Sequence, residues 1–149
     1  MDSLSAFDAP VWRLIPDDLA ERPAHPARAP EGRFHHSGQI AAYASLSADG
    51  AAVAIARYLG DGVRRHLVPM RLTCALVADV RGDPAASMVW QDIRETGAPS
   101  PTWSFSDKAR AMGAEAMLYS SRSRPELSHV VVFDVSRLRC VGPITPFRS

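Results

Sequence analysis

Residues 32–59 read GRFHHSGQIAAYASLSADGAAVAIARYL, and the order of turn, apolar strand and helix inside this stretch decides the fold. The small apolar run at 40–45, built around Tyr43, suits a buried strand. Ser47 then offers an oxygen to free helical N–H groups, and Asp49 adds a first-turn negative charge. A helix is therefore predicted from there to Leu59, with Gly60 as its stop. Along it Ala51, Ile55 and Leu59 recur at four-residue spacing, which is the mark of a face packed on a core.

Outward from this block on the N-terminal side, Trp12 and Leu14 alternate about Arg13, and a short strand is predicted over 11–15. Pro16, Pro23, Pro26 and Pro30 exclude a long helix and leave 16–32 mostly loop. On the C-terminal side Val68, Met70, Leu72 and Cys74 alternate with Pro69, Arg71 and Thr73, the period of a half-buried strand that continues through Leu76 to Val80. Arg81, Gly82, Asp83 and Pro84 end it. Residues 85–101 have weak periodicity and two late prolines, so they read as a loop with one helical turn, a candidate mobile element over a site. Ser106 and Asp107 mark a second helix start and Gly113 its end, with Ala109 and Met112 turned inward. Strands are expected at 116–119 and 130–133, the second a β-branched and aromatic run suited to a central position. A polar loop joins them. The order predicts one α+β domain over 1–149, a curved mixed sheet with a few flanking helices, with a partly loop segment at 1–31 and a Pro-containing tail at 141–149.

At 149 residues the chain can bury a single core, and 17 basic against 16 acidic residues exclude attraction to nucleic acid or an anionic membrane by bulk charge. Cys74 and Cys140 match no metal or redox spacing, so free thiols in a reducing cytoplasm are expected. The acidic start at Asp2 lacks a secretory pattern and no apolar run reaches membrane-spanning length, so a soluble, unexported protein is expected. His35 and His36 are adjacent and point in different directions, with no third ligand at a familiar spacing, so no metal is expected.

Four blocks, in order, are similar to the RES domain. They are Gly32, Arg33 and Phe34 before the Gly38 turn; the strand bearing Tyr43, followed by Leu46 and Ser47 into an alanine-rich helix; Lys108, Ala109, Arg110 and Gly113 leading to Leu118, Tyr119, Ser120 and Ser121; and the apolar strand from His129 to Phe133 and Asp134. The resemblance implies an ADP-ribosyltransferase-like fold that binds NAD+ as its substrate and cleaves the nicotinamide–ribose bond, as the toxin of a toxin–antitoxin pair. It implies transfer of ADP-ribose to an intracellular protein, with water or phosphate as alternative acceptors. It also implies a cognate antitoxin that occludes the cleft and carries a DNA-binding region, so that any DNA contact is indirect.

The same resemblance places Arg33, Phe34, His35, Tyr43, Ser47, Ser120 and Ser121 around NAD+, with Arg33, Tyr43, Ser121 and position 54 in the chemistry. A guanidinium bonds two phosphate oxygens at once, which suits Arg33 to the pyrophosphate. Tyr43 reads either as a half-buried core residue or as a ring presented to nicotinamide or ribose. Ser121, or its neighbour Ser120, could bond a phosphate or ribose oxygen. The family's glutamate falls at Ala54, which can neither bond a ribose hydroxyl nor offset a developing cation. Three readings stay open: an inactivating substitution, a natural branch helped by His66, Arg57, Glu115 or His129, or a non-catalytic relic that binds an antitoxin.

Overall fold

The computed structural model describes residues 3–58 and 60–147, the side chain of Arg57 excepted. Seven strands form one mixed sheet: β1 (Ser5–Pro16), β2 (Ala42–Ser45), β3 (Arg65–Asp79), β4 (Ala116–Ser120), β5 (Ser128–Val132), β6 (Leu138–Cys140) and β7 (Thr145–Pro146). Their order is β1-β2-β5-β4-β3-β6, with β7 also on β3. Because β1 pairs with β3 as well, the pairings run in a closed circuit. The long β3 makes this possible: it runs antiparallel to β1 along most of its length and turns its last residues, 77–79, parallel to β4. The circuit is thinnest between β1 and β2, which share the single pair Trp12 and Ser45.

Alternation along β4 and β5 explains the uninterrupted apolar runs. Ala116, Leu118, Val130 and Val132 join a core with Val11, Ile15, Val68, Met70 and Leu72. Met117, Tyr119 and Val131 face the opposite way, into a second core with Phe34, Ala78 and Ala109. Both faces of these strands are covered, so no polar residue is needed on either side. As expected from its composition, β5 is central, between β2 and β4.

Three helices flank the sheet: α1 (Ala48–Ala54), α2 (Gln91–Glu95) and α3 (Trp103–Ala111). Ser47 caps α1 as its position predicts, its Oγ accepting from Gly50 N at 2.9 Å. The helix stops at Ala54, short of the expected end, and one turn of 3-10 helix follows at Ala56–Tyr58. The expected contribution of Leu59 to the packed face lies outside the described residues. α3 begins before the predicted start because Ser106 is no cap: it is buried inside the helix and its hydroxyl bonds back to the Trp103 carbonyl. Gly113, at φ +89°, closes it. The segment expected to be loop with one helical turn holds two, a 3-10 turn at Pro84–Ser87 and α2. β1 is more than twice the expected length, since Asp8 on its exposed face is held by Arg71 and Thr73 of β3 rather than by apolar burial. The tail is tied to the sheet by β7, which pairs with His66 and Leu67. Among the described residues no helix is long and apolar enough to cross a membrane.

Arg13 shares the buried face of β1 with Val11 and Ile15. Its guanidinium donates to the carbonyls of Tyr43 (3.0 Å), Pro23 (2.6 Å) and His25 (2.9 Å), bridging β1 to β2 where strand pairing is sparse. Burial lowers its pKa to about 10, so it stays charged at neutral pH. Truncation leaves these carbonyls without donors. Arg13→Ala is expected to cost about 3 kcal/mol, read as a fall in Tm of roughly 6–12 °C by thermal melting. An unchanged Tm would show that the bridge carries no weight.

Candidate active site

Chain geometry at 32–36 is set by side chains that bind its backbone. Gly32 N–H donates to the His35 carbonyl at 3.0 Å, and Trp103 Nε1 donates to the Gly32 carbonyl at 2.8 Å. The Thr102 hydroxyl donates to the Arg33 carbonyl. Phe34 N–H donates to the Tyr43 hydroxyl at 3.0 Å, and Arg110 Nη1 to the Phe34 carbonyl at 2.8 Å. The residue at 32 must be glycine, because a Cβ there would lie 2.4 Å from His35 Cε1 and 2.8 Å from the Tyr43 hydroxyl. Phe34 is wholly buried and meets the ring of Tyr119 edge-on at 4.7 Å.

His35 is also buried. Its Nε2 lies 2.8 Å from the Ala29 carbonyl and its Nδ1 2.7 Å from the Tyr43 hydroxyl. A carbonyl only accepts, so Nε2 carries the proton and, in the neutral ring, Nδ1 accepts from Tyr43. The Tyr43 hydroxyl thus donates to His35 and accepts from Phe34, while burial raises its pKa. The Tyr43 hydroxyl is therefore engaged on both sides and is no free base.

These residues open onto a cleft of about 530 Å³ lined by Arg33, Tyr43, Ala54, Tyr119, Ser121 and His129, among others. An adjoining hollow of about 380 Å³ shares Tyr43, Ala54 and Tyr119. That hollow is walled mainly by apolar side chains of β1, α1, β2 and the loop between β1 and β2, and the larger cleft gathers more polar groups. Arg33 is half-buried, its Nη1 held by the Met88 carbonyl at 2.6 Å, and burial lowers its pKa. Ser120 Oγ accepts from Gly82 N–H at 3.0 Å and Ser121 Oγ from Arg124 N–H at 3.2 Å. A hydroxyl that accepts still has its own proton to donate.

Several residues of the sequence-based set are not brought to the cleft. Phe34 is core, Ser47 is spent on the cap of α1, and neither lines the cavity. His36 stacks on Trp103 at 4.4 Å and pairs with Asp107 at 3.0 Å. Tyr119 went unassigned in the sequence, although it stands directly before the two serines. It is buried, its pKa is pushed up to about 12 by burial, and it lines both hollows.

Ala54 is exposed at the end of α1 and lines the cleft. Of the groups that could offset a missing acid there, His66 pairs with Asp17 at 2.5 Å and lies outside the cleft lining. Glu115 accepts from Ala75 and Leu76 N–H groups and pairs with Arg137, also away from the cleft. The side chain of Arg57 lies outside the described residues. Of the three whose side chains are described, only His129 lines the site. It is buried, its Nδ1 is 2.7 Å from Ser45 Oγ, and no described protein group bonds its Nε2. Among the described residues no three His, Cys, Asp or Glu side chains are grouped to hold a metal.

The RES-domain family model matches residues 10–148. Among solved structures, a chain of the M. tuberculosis MbcT–MbcA toxin–antitoxin complex superposes with a TM-score of 0.66 over 98% of this chain and 85% of that chain, at 17% identity. At that identity the likeness is one of fold. No curated protein matches the chain.

Burial, and secondarily the charge of Arg33, lowers the pKa of His129 from 6.5 to about 4. The unfolded chain therefore binds a proton that the folded chain refuses between these values, and stability is complete above pH 6.5 and lost as pH falls toward 4. The loss attributable to this residue approaches about 3 kcal/mol. Urea titrations of wild type and His129→Gln across that window should show a shallower pH slope in the variant. Equal slopes would remove His129 as the cause.

Proposed function

The chain belongs to the RES-domain family, and from that membership we propose that it is the toxin of a toxin–antitoxin pair, acting on NAD+ in the cytoplasm. One observation carries the reading: Arg33, Tyr43, Tyr119 and Ser121, drawn from three separate parts of the chain, line one cleft, with the loop bearing Arg33 locked by side chains on every side. In the proposed reaction the C1′–N bond of nicotinamide riboside breaks. The bonding pair leaves with nicotinamide, and C1′ gains oxocarbenium character before an acceptor oxygen, nitrogen or sulfur attacks it.

Arg33 exchanges its bond to the Met88 carbonyl for the pyrophosphate, fixing the ribose relative to the rings. Tyr43 and Tyr119 supply faces for nicotinamide and ribose. Ser121, and Ser120 beside it, donate to phosphate or ribose oxygens. His129, neutral at working pH, can accept a hydrogen bond from a ribose hydroxyl at Nε2 when its Nδ1–H is given to Ser45. It supplies geometry without the negative charge of a carboxylate. The acceptor is an intracellular protein, with water or phosphate as alternatives, and the partner is an antitoxin with a DNA-binding region that covers the cleft.

A second reading, a non-catalytic antitoxin-binding protein, is favoured by Ala54. Labelled NAD+ separates the outcomes. Label on a protein band marks transfer, free ADP-ribose marks hydrolysis, and its 1″-phosphate marks phosphorolysis. Ala54→Glu is expected to raise the rate about a hundredfold by restoring one electrostatic stabiliser. Arg33→Ala should abolish turnover and toxicity with the fold retained. Intact NAD+ throughout, including with Ala54→Glu, would leave the second reading standing.

A further inference from the structure

Arg122 follows directly on the paired serines and lines the same cleft as Arg33. It is exposed, and among the described residues no hydrogen bond or ion pair engages it. The next arginine of the loop, Arg124, is in contrast paired with Glu126 and does not line the cleft. The loop thus contains an acid, and that acid neutralises the arginine that faces away.

The cleft has no carboxylate to spare for the two guanidiniums. Among the described residues Glu31 is the only acid in its lining, and it is gripped twice by Arg94 of α2, at 2.9 Å and 3.1 Å. The carriers of the two cations are also fixed to each other. Ser87 Oγ donates to the Ser120 carbonyl at 2.6 Å, and the neighbouring Met88 carbonyl holds Arg33. The turn bearing Arg122 is therefore stitched to the segment that orients Arg33. The charge of Arg122 is felt there, since it contributes to lowering the pKa of Arg33 after burial itself. Two like charges lining one cleft repel each other unless an anion lies between them.

We propose that Arg122 is a second anion-binding residue of the cleft, which with Arg33 forms a two-guanidinium clamp selecting ligands that carry a pyrophosphate over the corresponding nucleosides. The clamp deepens the NAD+ reading and rests on it for the identity of the natural ligand, though not for the anion preference. Arg33 is the rigid half, pre-positioned by its bonded loop. Arg122 is the exposed half, whose guanidinium turns onto a phosphate when the ligand enters and pays its ordering entropy at that moment.

Calorimetric titration of the full chain with ADP-ribose, inorganic pyrophosphate and adenosine tests this, since none of these requires turnover. Arg122→Ala is expected to weaken ADP-ribose and pyrophosphate about tenfold, to reduce the salt dependence of both, and to leave adenosine unchanged. Arg122→Lys should fall between wild type and Arg122→Ala, because an ammonium keeps the charge and loses the fork. Arg124→Ala, in the same loop, should match wild type. If Arg122→Ala binds both phosphates as wild type does while Arg33→Ala does not, the clamp is wrong and the NAD+ reading survives. If wild type binds neither phosphate ligand, the clamp is likewise overturned. If pyrophosphate binds in an Arg122-dependent way but NAD+ and ADP-ribose do not, the clamp stands and the NAD+ reading falls.

Discussion

The backbone of residues 32–34 is held by hydrogen bonds from Thr102, Trp103 and Arg110 and by one that Phe34 N–H donates to the Tyr43 hydroxyl, and the site depends on this arrangement. A loop with no regular structure would ordinarily satisfy its polar groups with water and move. Here the partners come from β2 and from the start and end of α3, so the loop is as fixed as the elements that hold it. Glycine at 32 is what lets His35 and Tyr43 approach closely enough to join the network. Arg33 inherits its backbone position from these neighbours, and its guanidinium is bonded to the Met88 carbonyl.

The sheet supplies the other half of the frame. β4 and β5 are buried on both faces, and their ends deliver Tyr119, Ser120, Ser121 and His129 to the cleft. The opposite wall is less regular. It is formed by the end of α1 and by residues 88–91, and it is tied across by ion pairing of Glu31 with Arg94 and by Arg33 on the Met88 carbonyl. A rigid floor and a wall held by a few polar bonds suit a cavity that must admit a ligand and close around it.

The resemblance to the family assigns its carboxylate to the position of Ala54, a methyl group at the edge of the cleft. The cleft keeps its cations and its aromatic faces, but it has no uncommitted negative charge among its described lining residues. His129 can replace the hydrogen bond and not the charge, because burial and Arg33 both disfavour its protonated form and a neutral ring cannot offset a cation. On the proposed reading binding and chemistry separate in this chain: the cleft keeps Arg33, Arg122, Tyr43 and Tyr119 for a dinucleotide and has an alanine where the acid is expected.

Much of the frame was legible in the chain itself. The alternation at 68–74, the apolar run at 130–133 and the cap at Ser47 each follow from local chemistry, and each stands in the fold as read. The four blocks around Gly32, Tyr43, Gly113 and His129 were enough to identify the family. What sequence could not decide was which polar side chains were already spent. Ser106 looks like a helix cap and is a buried mid-helix hydroxyl; Ser47 and Phe34 look like ligand contacts and are a cap and a core residue. The difference between Arg122 and Arg124 is equally invisible in the chain, since both are arginines in one polar loop. Residue type and spacing determine what a group can bond, whereas only the tertiary structure determines which partner reaches it first, because hydrogen bonds and ion pairs are satisfied over a few ångströms between segments far apart in sequence.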